Sequence, residues 1–160
     1  RRRVIRALEV CIGSGRPFSS FGPGVDAYPP TPVRLLGVRV PQPVVAERIE
    51  ARYQQQLATG FLDEVRRLRG GPPLSRTAAQ ALGYRELLAH LDAVAAGETH
   101  PTLDEAVDQA VRRTRAFARR QRAWFRRDPR ITWLDAHLDP LDVLAPLVDL
   151  ATAHWGHPEI

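Results

Sequence analysis

Arginines recur at Arg112, Arg115, Arg119, Arg122 and Arg126 within the segment 103–127, and Arg113, Arg120 and Arg127 run beside them. Turned at about 100° per residue, the first set falls within an arc of roughly 80° and the second forms a neighbouring stripe. Guanidiniums stacked in a line do not neutralise one another, and few acids lie near them in the sequence. Such a stripe matches a polyanion, a phosphodiester backbone above all. A merely solvated face would carry mixed signs and lysine–glutamate pairs instead.

The element that must present this stripe is a long helix. Thr102 suits the N-cap, with Glu105 three residues on to complete a capping box. Asp104 and Glu105 favour the positive end of the helix dipole and the arginines its negative end. Asp128-Pro129 ends the segment. Leu103, Ala106, Val107, Ala110, Phe117, Trp124 and Phe125 fall on the face opposite the arginines, with Thr114 and Gln121 near its centre. An orphaned buried amide costs about 1–3 kcal/mol. Gln121 therefore either points into a polar pocket or channel, or is a core glutamine bonded to backbone.

Periodicity and breakers place the remaining elements. A helix is expected over 3–12, a Gly/Pro/Ser-rich loop over 13–32 and a strand over 33–40. Helices follow over 44–58, with Val45, Ile49, Tyr53 and Leu57 on one face, and over 61–68. Gly70-Gly71-Pro72-Pro73 then breaks the chain. The next helix is expected from Ser75 or Thr77 to about 96, with Gly83 inside it. A mid-helix glycine costs up to about 1 kcal/mol relative to alanine. It is explained by helix packing or by close approach of a ligand, and Gln80, Tyr84 and Arg85 beside it could stack and hydrogen-bond a base. After the arginine helix, 131–134 reads as a short buried strand, and Asp139-Pro140 caps a final helix over 141–152.

Composition narrows the function. The 160 residues suffice for one domain with a real core. Net charge is +5, and all 23 basic residues are arginine, so the lysine of a GxxxxGK[ST] phosphate loop is absent from this chain. No apolar run is long enough to span a membrane. The single cysteine, Cys11, excludes an internal disulfide and fits a reducing cytoplasm. His154 and His157 are close in sequence but lack a nearby third metal ligand. Asp63-Glu64 and Asp104-Glu105 read as surface acids at helix starts rather than an acid/base pair. The chain has no methionine and opens on Arg1-Arg2-Arg3, which reads as part of a longer or processed polypeptide.

Four stretches resemble, in order, the C-terminal half of the bacterial tRNA dimethylallyltransferase family. They are RRRVIRALEV with GSGRPFS, ERIEARYQQQLATGFLDEVRRL, TAAQALGYREL, and TRAFARRQRAWFRRDPRITWLD. The resemblance implies an α/β, mostly helical fold: the C-terminal part of a P-loop NTPase-like core carrying a helical tRNA-binding insertion. The insertion would lie within about 39–97, with 1–38 and 98–160 mainly core. The implied activity is transfer of a dimethylallyl group from its diphosphate to N6 of adenosine 37 in tRNAs reading UNN codons. The target base would be flipped into a channel, with Mg²⁺ on the diphosphate, in a cytoplasmic enzyme that is monomeric at full length.

The family's tRNA contacts map onto three stretches: Arg2, Arg3, Val4, Ile5 and Arg6; Gln80, Ala81, Leu82, Gly83, Tyr84 and Arg85; and Arg119, Arg120, Gln121, Arg122, Ala123, Trp124, Phe125 and Arg126. By the same resemblance Gly83 marks a close approach of RNA, and Gln121 a channel position near the flipped adenine. Ala123 stands where the family often has threonine, so a hydroxyl contact is missing. The phosphate loop and the aspartate general base belong to the family's N-terminal half. This chain alone is therefore expected not to catalyse transfer, and to expose apolar surface that the other half would cover. The alternatives are a non-catalytic RNA-binding module and an isopentenyltransferase acting on a free adenine nucleotide. The helical segment argues against the latter, since a mononucleotide needs no grip on a stem-loop.

Overall fold

Tyr53, Phe61, Val65, Leu87 and Leu91 converge from three helices onto Ala106, Val107, Ala110 and Val111 of a fourth. The computed structural model describes residues 2–22 and 27–155, apart from the side chains of residues 2, 154 and 155. Its helices are α1 (Arg2–Ser14), α2 (Gln42–Ala58), α3 (Phe61–Gly70), α4 (Tyr84–Ala95), α5 (Leu103–Phe125) and α6 (Leu144–Trp155). Its strands are β1 (Leu35–Arg39) and β2 (Ile131–Asp135), and short 3-10 turns occupy Phe18–Phe21, Ala78–Gln80 and Pro140–Val143.

The long arginine helix forms as its sequence dictates. Thr102 accepts from the Glu105 N–H at 3.2 Å, and the Glu105 carboxylate accepts from the Thr102 N–H at 2.8 Å. At 1.5 Å per residue α5 is about 34 Å long. Helices α2 and α4 flank it, and α3 packs on both of them. Small residues on α5, Ala106 and Ala110, are 2% and 1% exposed, which lets the neighbouring helices come close.

The two strands pair in parallel, with Gly37 opposite Trp133 and Arg39 opposite Asp135. A Cβ on Gly37 would lie 2.8 Å from the Trp133 ring and 2.9 Å from Ile131, so this register needs a glycine. Arg39 Nη2 donates to Asp135 Oδ2 at 2.6 Å and ties the strand ends together. The strand expected to be buried, β2, is only partly so, because among the described residues the sheet has two strands.

Two expectations fail on conformation. The helix expected from Ser75 or Thr77 starts only at Tyr84. Ala81 is extended, and Gly83 adopts φ +87°, a left-handed conformation that no helix interior tolerates. The apolar face of α5 also divides. Its first half is buried, but Phe117, Trp124 and Phe125 are 43%, 57% and 49% exposed. On α1 the apolar residues Val4, Leu8 and Ile12 are likewise exposed.

Candidate nucleic-acid interface

Arginines on α5 do two different jobs. Arg115 donates to the Ala46 carbonyl at 3.1 Å and pairs with Glu50 at 2.6 Å, both on α2. Arg122 donates to the Val40 carbonyl at 3.1 Å, at the end of β1. Arg113 pairs with buried Glu86 of α4, and Arg112 bonds Gln109 at 2.9 Å on its own helix. Arg113, Arg115 and Arg122 bolt α5 to its neighbours, while Arg112 is held within its own helix. Acids thus lie nearer the stripe than α5 alone indicates, because Glu50 and Glu86 come from other helices. Among the described residues Arg119 and Arg126 have no ion pair, so their charge remains available. Arg120 and Arg127 lie over the rings of Phe117 and Trp124 at 5.9 and 5.8 Å.

Arg119, Gln121, Arg122 and Phe125 line a cleft of about 600 Å³, closed by the start of α2 and by Val38, Arg39 and Trp133 of the sheet. Gln121 is exposed and borders this cleft, which overturns its reading as a buried core glutamine. Of the two polar residues on the apolar side, Thr114 is the one built into the interior, its hydroxyl 3.0 Å from that of Tyr53. Hydrogen bonds from Arg39, reinforced by the charge of Arg122, hold the Asp135 carboxyl below the usual carboxylate range. With that acid engaged by Arg39, the cleft presents cationic donors beside the apolar surfaces of Phe125 and Trp133, a combination suited to phosphate and base together.

A second cleft, of about 420 Å³, lies on the other side of Ile49, which lines both. Leu82 and Tyr84 border it, whereas Gln80, Ala81 and Arg85 are exposed at the turn that leads into α4. Gly83 is buried between them. A Cβ there would meet Tyr53 at 3.1 Å and Phe61 at 3.2 Å. The close approach that demands glycine is thus made by the protein's own rings, and Gly83 caps α4 rather than interrupting it.

Two of the three inferred contact stretches therefore face neighbouring clefts. Arg3, Val4, Ile5 and Arg6 lie exposed on α1, which packs against the Phe18–Phe21 turn, and Arg6 pairs with Glu9 at 3.0 Å. The side chain of Arg2 lies outside the described residues. Ala123 and Trp124 are exposed on α5. Among the described residues no group of three histidines, cysteines or acids could hold a metal. His157 and the side chain of His154 lie outside them.

Sequence reasoning missed Glu86, Arg113's partner, and the rim of the second cleft, Arg52, Gln56, Glu64 and Arg67. Glu86 had a local signal, since it stands three residues after Gly83, the spacing of a capping acid. The rim residues had none: they come together only when α2 and α3 fold back on each other.

A family profile described as IPP transferase matches residues 1–128. The chain is 48% identical over 134 residues to the tRNA dimethylallyltransferase of Streptomyces coelicolor, covering 83% of this chain and 40% of that protein. It is 39% identical over 157 residues to tRNA dimethylallyltransferase 2 of Mycobacterium marinum, covering 98% of this chain and 49% of that protein. A crystal structure of the full-length tRNA isopentenylpyrophosphate transferase of Bacillus halodurans matches with a TM-score of 0.69 at 28% identity, over 96% of this chain and 45% of that one. The chain thus spans less than half the length of these relatives. The helical core around α5, the parallel strand pair and the profile match over most of the sequence lead to one assignment: this chain belongs to the IPP transferase family.

Proposed function

We propose that this chain is the RNA-gripping part of a tRNA dimethylallyltransferase. On this reading the full protein transfers a dimethylallyl group from its diphosphate to N6 of adenosine 37 in tRNAs reading UNN codons. It acts as a cytoplasmic monomer, and residues within 39–97 form a helical insertion on a P-loop-type core. The N6 nitrogen bonds to C1 of the prenyl group, the C1–oxygen bond breaks, pyrophosphate leaves, and N6 loses a proton. N6 reaches C1 only if the base leaves its stack. The cleft bounded by Arg119, Gln121 and Phe125 is offered for that base or the prenyl group beside it. Its charged groups are chiefly guanidiniums, with Asp135 engaged by Arg39. They do not suit Mg²⁺, which on this reading arrives on the diphosphate.

The observation that carries the proposal is the unpaired charge of Arg119 and Arg126 on a helix whose Arg113, Arg115 and Arg122 are tied to neighbouring elements. The test is binding of a tRNA anticodon stem-loop as a function of salt. Replacing both residues by alanine should weaken binding and lower the salt slope by about 2. An unchanged slope rules out the stripe as the contact surface. The lysine-free chain favours a binding rather than a catalytic role in isolation, so it should show no prenyl transfer to tRNA by itself. Transfer by this chain alone would overturn that division of labour.

A further inference from the structure

The cleft between α2, α3 and the start of α4 is built differently from the arginine cleft beside it. Tyr53 and Phe61 lie buried beneath it, and the partly exposed ring of Tyr84, which meets Phe61 edge to face at 5.0 Å and 85°, is the aromatic surface it offers. Its rim carries Arg52 and Arg67, both exposed and, among the described residues, both without an ion pair or hydrogen bond. Glu64 accepts the Tyr84 hydroxyl at 2.8 Å through Oε1, which leaves its second oxygen unclaimed. That hydrogen bond also raises the Tyr84 pKa, so the Tyr84 hydroxyl stays a donor.

We infer that this cleft binds a second unstacked nucleotide of the same RNA, one whose base bears an exocyclic amino group. The inference rests on the RNA-holding role proposed above. An aromatic ring with guanidiniums beside it is how proteins hold single-stranded RNA: the ring takes the base and the cations take the phosphates. The volume of about 420 Å³ lies in the range of small-ligand sites. Position supplies the rest. Ile49 lines both this cleft and the one that holds Arg119, so the two sites are neighbours on one surface and two nucleotides of one loop are the occupants they suit. A carboxylate only accepts, so the free oxygen of Glu64 matches the amino group of adenine, cytosine or guanine. Uracil has no such donor.

The experiment uses this chain and a tRNA anticodon stem-loop, with each loop nucleotide replaced in turn by an abasic residue. Two loop positions should prove sensitive. Arg52→Ala with Arg67→Ala should lower the salt slope by about 2, and because both residues are exposed and unpaired the fold should survive. Uracil at the second sensitive position should bind about tenfold more weakly than cytosine, and Glu64→Gln should abolish that preference, since an amide donates as well as accepts. If the cleft variants bind like the parent while Arg119→Ala with Arg126→Ala weakens binding, the second site is overturned and the arginine surface stands. If the parent binds no stem-loop RNA, the RNA-holding role itself falls, and this site with it.

Discussion

Glu86 and Arg113 form an ion pair across the contact between α4 and α5, and the same carboxylate accepts the Gly83 N–H at 2.9 Å. Glu86 is 5% exposed. One buried side chain therefore fixes both the turn bearing Gln80–Arg85 and its angle to the arginine helix. Removing one member of a buried pair typically costs on the order of 3–5 kcal/mol, because the other is left desolvated; here Arg85, 3.7 Å from the same carboxylate, remains as a weaker partner and reduces that loss. The Arg113 side chain is 35% exposed and Glu86's only 3%, so the two members are not equivalent. Arg113→Ala should destabilise more than Glu86→Gln, which keeps an acceptor for Gly83 and leaves a cation that reaches water. Urea unfolding of the two variants measures the difference; equal losses would show that the pair's burial is not what matters.

Gly83 makes a second, sharper demand. Its φ of +87° is a region that side-chain-bearing residues rarely enter, and a Cβ would press on Tyr53 and Phe61. Gly83→Ala should cost about 1–3 kcal/mol from backbone strain alone. Gly83→Leu should lose the native packing of the second cleft altogether. A chain that keeps the parent's unfolding midpoint with leucine at this position would contradict the geometry.

Local rules reached much of this fold because several of its elements are locally determined. The capping box at Thr102 and Glu105 and the break at Gly70-Gly71 are short-range hydrogen-bond and backbone preferences, and both are found; Asp139 also caps, but it caps the Pro140–Val143 turn, and the final helix starts only at Leu144. Gly83 was misread because glycine weakens a helix and also caps one, and only φ tells the two apart. Phe117, Trp124 and Phe125 lie on the expected face of α5, but periodicity cannot say where along a helix its partners end. The sorting of arginines into tied and free was equally hidden, since Glu50, Ala46 and Val40 lie far from α5 in sequence.

That sorting separates stability from binding within one stripe. Arg115 holds α2 by a carbonyl and a carboxylate, so Arg115→Ala should lower the unfolding free energy by about 1–3 kcal/mol. Its effect on the salt dependence of RNA binding should be small. Arg119→Ala should do the reverse, leaving stability within about 0.5 kcal/mol of the parent and lowering the salt slope by about 1. Thermal melts and salt titrations of the same two proteins decide the matter. If both residues shift both quantities alike, the division between bolts and contacts is wrong.

Acid should loosen the sheet before the helical core. Hydrogen bonds from Arg39 hold Asp135 below the usual carboxylate range, and those from Arg130 do the same for Asp128. Backbone N–H groups of Asp139 and Leu138 lower Asp142, and His100 with Thr102 lowers Glu105. A depressed pKa means that the unfolded chain binds protons first as pH falls. The stabilisation is complete above the ordinary carboxylate values near 4 and is lost as pH drops through the lower folded values. The melting temperature should therefore hold steady from pH 7 to about 5 and decline below about 4. Asp135→Asn should melt lower than the parent at pH 7, with the gap closing as the parent's own Asp135 becomes protonated. A gap that stays constant down to pH 2 would mean that the charge of Asp135 contributes nothing to holding β1 and β2 together.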